Sequence, residues 1–324
     1  MTSWRMACMV LLSAMAAAPA WAQGRPASLD QALAPAQAAL AAGQFDKAWR
    51  LYQRQAPHNP LAQFVIGQFY QQGWGRPGDQ TTACHWFEKA AMGHVPYAEH
   101  LWGDCLAQGL TGKADAAQAL QWYRRAGEDG HWLSLCSAAE LLIRGQGTPR
   151  DVNEGLALCA RAAQSDSAPA MLRLAQYLDQ DTDVPANPTV ARQWYLEAAK
   201  RQMPEAQYRL GVMLAQAEGG EPDAQAARYW LETAASAGYL PAYLPTAVMY
   251  GNASPQADTG ALAPSDLAKV YLWSAAASAR EPNATRRERA NEVKAQALAV
   301  MPATWQPDLD KKVAEHLSRF PSAP

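Results

Sequence analysis

The residues best suited to chemistry in this chain are its five cysteines and six histidines. Four of the cysteines lie close together in sequence, at Cys84, Cys105, Cys136 and Cys159, whereas Cys8 stands apart near the start. Several thiols in one segment form disulfides in an oxidising compartment and bind metals or serve in catalysis in a reducing one. Which of these chemistries applies depends on the elements that position the cysteines.

The histidines do not predict a metal site. His85, His94 and His100 are near one another in sequence, but an antiparallel hairpin centred after His94 places them at different heights. The chain also lacks a Gly-x-Ser-x-Gly nucleophile elbow, a His-Glu-x-x-His zinc helix and a phosphate-binding glycine-rich loop. We therefore expect no metal, no cofactor and no catalytic residue, and we interpret the histidines as packing or surface residues.

The positioning elements are repeats, because the sequence resembles itself at steps of 36 residues from Pro60 onward. Self-similarity at a fixed period of this length is typical of solenoids, in which each repeat stacks on its neighbours. Columns of small residues and of tryptophans keep this phase. They are Gly67, Gly103, Ala139, Ala175, Gly211 and Ala247; Ala62, Ala98, Ser134, Ala170, Ala206 and Ala242; and Trp86, Trp122, Leu158, Trp194 and Trp230.

Each repeat predicts one helical hairpin. Small and apolar residues recur at spacings of three and four in both halves of the repeat, as in residues 62–70 and 83–91. Residues whose side chains accept bonds from free helix amides mark the start of each second helix. They are Asp79, Asp115, Asp151, Asn187 and Asp223. The predicted fold is an all-α solenoid of tandem 36-residue helical hairpins.

Helical geometry chooses among the three ways of pairing four cysteines. In the antiparallel helices predicted around them, Cys84 lies level with Cys105, and Cys136 lies level with Cys159. Cys105 and Cys136 would be about 7.5 Å out of step along parallel helices, which is beyond the usual bridge. We predict the disulfides Cys84–Cys105 and Cys136–Cys159; four buried thiols are the alternative.

The repeats also share a pattern of Leu-Gly, then Gly-x-Gly, then Ala-x-x-Trp-Tyr-x-x-Ala-Ala. It is met at Leu210-Gly211, at Gly73-Trp74-Gly75, at Gly145-Gln146-Gly147 and in residues 191–199. These residues resemble the Sel1-like repeat family, relatives of the tetratricopeptide repeats. The resemblance implies a right-handed α/α solenoid, a tetratricopeptide-like superhelix, that holds other proteins. Departures from the pattern are Asp181 and Ala217 at turn glycines and Leu158 at the tryptophan position.

The ends of the chain differ from the repeats. Residues 1–22 predict a secretory signal peptide, with a basic residue near the start, an apolar stretch and small residues before the cleavage point. We expect an N-terminal tetratricopeptide-like cap hairpin in residues 23–59, six Sel1-like repeats in residues 60–279, and C-terminal capping helices in residues 280–324. Cleavage of the signal peptide would place the chain in the periplasm or outside the cell.

Composition excludes some classes of partner. The net charge is only −2, and the chain has no basic run of the kind that binds nucleic acid or anionic lipid. After signal cleavage no apolar run is long enough to span a bilayer, so we expect no membrane insertion. The expected partner is a protein or peptide of the cell envelope, and the sequence does not predict an oligomeric state.

The expected binding surface is a concave groove lined by the first helix of each hairpin, by analogy with tetratricopeptide repeats. Amide side chains in such a groove can donate to and accept from an extended peptide. Solvation of the last carbonyls of each helix is the alternative interpretation. The predicted groove residues are Gln72, Gln108, Arg144, Gln180, Gln216 and Asn252, with a mildly acidic wall of Gln68, Asp104, Glu140 and Gln176.

We interpret the chain as an exported, non-catalytic scaffold that binds a protein or peptide. Two other classes stay open. Cysteine-rich relatives in the family imply a β-lactamase-like envelope enzyme, which requires inward polar side chains that break the repeat phase, and we find none in the sequence. A glycan-binding component requires exposed Trp or Tyr on one face, whereas the tryptophan column predicts core packing.

Overall fold

The computed structural model describes residues 27–180 and 183–321. The predicted signal peptide and Asp181 lie outside the described residues. The chain divides into two compact units, Met1–Ala170 and Met171–Pro324. The described parts of both units are built from α-helices joined by turns, and consecutive helices pack as hairpins. The predicted all-α solenoid of tandem hairpins is confirmed.

Eight helices make up the described part of the first unit. They are α1 (Ala27–Ala41), α2 (Phe45–Gln55), α3 (Pro60–Gln72), α4 (Gln80–Met92), α5 (Pro96–Gln108), α6 (Ala116–Glu128), α7 (Ser134–Arg144) and α8 (Val152–Gln164). In the predicted repeats the odd-numbered helix is the first of each hairpin, and the even-numbered helix is the second.

The second unit continues this order. Its helices are α9 (Ala168–Asp179), which begins just before the division, α10 (Pro188–Lys200), α11 (Pro204–Ala215), α12 (Ala224–Ser236), α13 (Leu240–Gly251), α14 (Pro264–Arg280), α15 (Ala284–Val300), a 3-10 turn (Ala303–Trp305) and α16 (Gln306–Arg319). The five extra residues of the sixth hairpin lie between α13 and α14, as predicted. The division of the ends into capping elements stays a prediction.

Side-chain caps start the second helices at the predicted residues. Asp79 accepts a hydrogen bond from the amide of Thr82, and Asp115 accepts one from the amide of Gln118. Asp151, Asn187 and Asp223 do the same for α8, α10 and α12. Each cap satisfies an amide that the helix itself leaves without a partner.

The small-residue columns let the two helices of a hairpin approach closely. A methyl group added at Gly67 would lie 2.5 Å from the ring of Phe87 on α4, and one at Gly103 would lie 2.7 Å from the ring of Tyr123 on α6. Both distances are shorter than carbon contacts in proteins allow. The glycines therefore make room for the large side chains that fill each hairpin.

The turn glycine after the first helix of a repeat adopts a left-handed backbone conformation, and in one repeat an alanine adopts this conformation instead. Gly73 ends α3 with φ of 68°, in the left-handed region. Ala217 stands at the same repeat position after α11 and adopts φ of 59°, which is strained for a residue with a side chain. The turn geometry is thus kept where the family residue is absent.

Candidate functional site

The predicted groove residues at the ends of the first helices are all exposed. Gln72, Gln108 and Arg144 are the last residues of α3, α5 and α7 in the first unit. Arg144 pairs with Glu140 of the same helix at 2.9 Å. Their counterparts in the second unit are Gln180, Gln216 and Asn252. Exposure satisfies a first requirement for binding, and the assignment of these residues to a groove stays a prediction.

The predicted acidic wall is half-buried, and most of it is engaged within the protein. Asp104 accepts a hydrogen bond of 2.6 Å from the hydroxyl of Tyr123. Glu140 holds Arg144, and the amide of Gln176 donates to Glu205 at 2.7 Å. Gln68 is half-buried as well. Asp104, Glu140 and Gln176 therefore already bond to other residues of the protein, which leaves them less available to a ligand than the exposed amides of the row.

A cluster of polar side chains lies where the repeat pattern predicts apolar contacts, between α5, α6 and the start of α7. The Ser134 hydroxyl lies 2.6 Å from His131 Nδ1 and 3.1 Å from His100 Nδ1. His100 Nε2 faces Asp104 at 3.5 Å, and the ring of Tyr97 stacks on His100. The interpretation that no inward polar cluster breaks the repeat phase is therefore wrong.

The electrostatics of this cluster follow from its burial. Burial lowers the pKa of His100 to about 4 and that of His131 to about 4, and the neighbouring His100 contributes to the second shift. Burial also raises the pKa of Asp104, against the lowering effect of the bond from Tyr123. Both imidazoles are consequently neutral at pH 7 and can take part in hydrogen bonds as donor and acceptor.

Ser134, His100 and Asp104 are arranged like the nucleophile, base and carboxylate of a catalytic triad. Catalysis would also require that a substrate reach the Ser134 hydroxyl, and the structure does not allow this. Ser134 is 0% exposed, and two imidazoles enclose its hydroxyl. A substrate cannot reach that oxygen in this arrangement. The signal for the cluster was present in the sequence, because His100 occupies the column of Phe64 and His131 that of Val95, both apolar.

A second polar group joins α5 to α6. The carboxylate of Glu99 is 0% exposed and lies 3.0 Å from Arg125 Nε. Arg125 Nη2 also lies 3.0 Å from His94 Nδ1, and Asp129 lies 3.4 Å from the same ring. His94, Glu99 and Asp129 place ligand atoms within 4.8 Å of one another, as a metal site requires. The guanidinium among them already supplies the positive charge, so we propose no metal here.

Both predicted disulfides are present. Cys84 of α4 is bonded to Cys105 of α5, and Cys136 of α7 is bonded to Cys159 of α8. The Cα atoms lie 5.9 Å and 4.3 Å apart, and all four residues are buried. Disulfides persist in oxidising compartments, so the two bonds indicate an extracytoplasmic location.

The hairpins match a known repeat. The sequence model of the Sel1 repeat covers residues 60–94, 96–131, 133–167, 168–203 and 204–239, more than half of the chain. The chain belongs to the Sel1 repeat family. The predicted sixth repeat, which spans α13 and α14, lies beyond these matches and stays a prediction.

Two solved structures show the same fold. A Sel1 repeat protein from Oxalobacter formigenes is 23% identical with a TM-score of 0.60, over 82% of this chain and 99% of that one. The protein c5321, a protective antigen of uropathogenic Escherichia coli strains with an SLR fold, is 22% identical with a TM-score of 0.65. That match covers 92% of this chain and 62% of the other. No curated protein matches the chain.

The tryptophans of the Sel1 repeats lie at the edge of the core and not inside it; Trp86 and Trp122 pack against buried residues, as predicted, but are themselves only half-buried. Trp86, Trp122, Trp194 and Trp230 are half-buried. The fully buried column is the following residue, because one helical step of about 100° turns the side chain from the edge to the centre of the hairpin. That column is Phe87, Tyr123, Cys159, Tyr195 and Leu231.

Exposed aromatic residues do not form one face in the described residues. The large exposed aromatic side chains are Tyr97 on α5, a first helix, and Tyr229 on α12, a second helix. The two therefore stand at different repeat positions, which does not favour a glycan-binding face. Within the ranges that the structure covers, every helix is too short or too polar to cross a membrane.

Proposed function

We propose that this Sel1 repeat protein is an exported, non-catalytic scaffold that holds an extended segment of a protein partner at the ends of its first helices. Sel1 repeat proteins are commonly scaffolds for protein interaction. The observation that carries the proposal is the exposed row of amide and guanidinium side chains at one repeat position. The predicted signal peptide and the two disulfides support export to the periplasm.

The row fits a peptide because a carboxamide can donate to one peptide group and accept from the next. In the first unit Gln72, Gln108 and Arg144 repeat this chemistry on successive first helices, α3, α5 and α7. Among the residues of the acidic wall, Asp104 joins α5 to α6 through Tyr123, and Glu140 holds the Arg144 side chain along α7. Because the row stands on packed helices, its backbone is already ordered, and binding there loses less backbone entropy than binding by a flexible loop does.

Replacing Gln72, Gln108 and Arg144 together by alanine tests the proposal. The partner is first identified by placing a photo-cross-linking residue at position 108 in cells and analysing the product by mass spectrometry. With that partner purified, the triple variant should bind at least about tenfold more weakly, since each hydrogen bond contributes about 1 kcal/mol. Stability should change by less than about 0.5 kcal/mol for each substitution, because these are surface sites.

The control is a triple variant of the same composition on second helices, with Gln121, Arg161 and Gln164 changed to alanine. All three are exposed on α6 and α8 of the same unit. We expect its affinity for the partner to stay within about twofold of the native value. Equal losses in the two variants, or no loss in the first, would show that the exposed row is not the binding surface.

The absence of catalysis is tested separately with β-lactam and peptidoglycan substrates. We expect no turnover above a buffer blank by the purified protein, because the one Ser–His–Asp arrangement among the described residues has a fully buried hydroxyl. Ser134→Ala is the diagnostic variant. Turnover that survives repurification and disappears in Ser134→Ala would contradict the proposal.

A further inference from the structure

A cavity of about 590 Å³ opens beside Trp230 in the second unit. Its lining includes the half-buried Trp230 ring, the exposed side chain of Gln202, the buried side chain of Gln207, and Thr233. We call these four residues the Trp230 pocket. They come from α11, α12 and the turn before α11, so the pocket lies away from the exposed row at the ends of the first helices.

Gln207 brings an unused acceptor to this pocket. Its side chain is only 4% exposed, and its Nε2 donates to the carbonyl of Ala199 at 3.1 Å. Its Oε1 is buried and accepts no hydrogen bond from any residue that the structure describes. A buried acceptor without a donor destabilises the fold, because the loss of its hydration is not compensated. A ligand can donate an N–H group to this oxygen once the Gln207 side chain turns toward the pocket, and that bond would supply the missing donor.

The second repeat of the same chain shows which chemical group fits a pocket of this kind. Three repeats earlier, the positions of Trp230, Gln207 and Gln202 are occupied by Trp122, Glu99 and His94, respectively. There the residue equivalent to Thr233 is Arg125, and its side chain occupies the equivalent site. The guanidinium lies 4.9 Å from the centre of the Trp122 ring, and its nitrogens lie 3.0 Å from Glu99 and from His94.

The first repeat follows the same rule. Lys89, again three residues after the tryptophan, places its ammonium 4.3 Å from the centre of the Trp86 ring. Trp86, Lys89 and Gln63 line a cavity of about 420 Å³ there. At Trp230 the corresponding residue is the short, neutral Thr233. Across residues 27–180 and 183–321, no Lys or Arg side chain lies over the Trp230 ring.

We propose that the Trp230 pocket binds the guanidinium of an arginine side chain of a partner protein. The planar cation stacks on Trp230 and donates N–H bonds to the side-chain oxygens of Gln207 and Gln202, at the positions where Arg125 forms an ion pair with Glu99 and contacts His94 in its own repeat. Arginine fits better than lysine because its donors form a planar fork. Lys200 at the rim does not oppose this strongly, since Glu197 holds its ammonium at 2.8 Å.

The site is tested by titrating Nα-acetyl-arginine amide into the full chain and following the indole N–H resonance of Trp230. Nα-acetyl-citrulline amide has the same shape without the charge and should bind at least about tenfold more weakly, because cation–π attraction and charge-assisted bonds are lost. Equal affinities for the two compounds would overturn the proposal. Tighter binding of free arginine than of the acetylated amide would overturn the assignment to a protein side chain.

Three variants decide whether the pocket is the site. Thr233→Arg rebuilds the internal arginine of the second repeat and should abolish binding, whereas Gln225→Arg, which adds the same charge at an exposed position of α12 outside the pocket, should leave it unchanged. Lys89→Thr uncovers the Trp86 ring beside Gln63 and should add a second site, visible as an increased stoichiometry in calorimetry. Undiminished binding to Thr233→Arg, or a single site in Lys89→Thr, would refute the proposal. Neither result depends on the exposed row, so the proposed function is tested independently.

Discussion

Replacing Cys84 and Cys105 by alanine will lower the free energy of unfolding of the first unit by about 3 kcal/mol. The bond joins residues separated by 21 positions, and without it the unfolded chain gains the conformational freedom of that loop. The bond also connects α4 to α5, which belong to successive repeats. Repeats rely on contacts with their neighbours, so we expect the loss to reach the whole N-terminal stack.

Hydrogen exchange of the native protein measures this effect helix by helix. Amides of α4 and α5 should exchange faster in the variant, while those of α11 and α12 in the second unit should be unchanged. Dithiothreitol should reproduce the effect in the native protein and should act in the variant only through the second bond, Cys136–Cys159. A loss of less than about 1 kcal/mol would show that the bond constrains the unfolded chain little.

Replacing Arg125 by alanine will destabilise the first unit strongly at pH 9 and weakly at pH 5. Burial, with a smaller contribution from Asp129, raises the pKa of Glu99 from 4.5 to about 8. At pH 9 the Glu99 carboxylate is charged and needs the guanidinium at 3.0 Å, whereas at pH 5 it is protonated and does not. We expect a loss of roughly 2 kcal/mol at pH 9, since Arg125 is 36% exposed and water screens the pair.

The sign of the pH dependence follows from proton linkage. Between pH 4.5 and about 8 the folded protein keeps a proton on Glu99 that the unfolded chain releases. The stabilisation from this group is therefore complete below pH 4.5 and is lost as the pH rises through about 8. Urea unfolding should show this decline in the native protein, and in Arg125→Ala the decline should continue to higher pH, because the guanidinium that lowers the Glu99 pKa is gone.

The control is Glu99→Gln, which removes the titrating group. Glutamine is the native residue at this repeat position in Gln63 and Gln207, whose amides donate to the carbonyls of Ala56 and Ala199. In the Glu99→Gln background, Arg125→Ala should cost less than about 0.5 kcal/mol at either pH. A full loss in that background would mean that Arg125 acts through the Trp122 ring and not through Glu99.

Most of the architecture was predictable because it depends on local and periodic features. The period of 36 residues predicted the hairpins, and Asp79 and its equivalents predicted the helix starts. Helical geometry then predicted which cysteines are paired, since height along two antiparallel helices is a matter of counting residues. None of these predictions needed knowledge of how side chains pack.

The candidate sites were less predictable because they arise where one repeat carries a different type of residue from the other repeats at the same position. His100 and His131 lie 31 positions apart and meet through Ser134, on the next first helix. When the repeats are compared, Ser134 is only one more small residue at its position, and its hydroxyl group gives no signal of the cluster. The exposed row was predicted because exposure follows from position on the helix, but no sequence pattern indicates whether a peptide binds there.

The sequence by itself determined the fold class, the period of the five matched repeats, the helix N-caps and the disulfides, because these follow from periodic spacing and from rigid helix geometry. Only the tertiary structure decided that the tryptophans stand at the edge of the core, that Arg125 fills its own pocket, and that Thr233 leaves the equivalent pocket open. The physical reason is that burial, ion pairing and cavities depend on contacts with side chains of neighbouring repeats. These contacts cannot be read from the residue types at one repeat position.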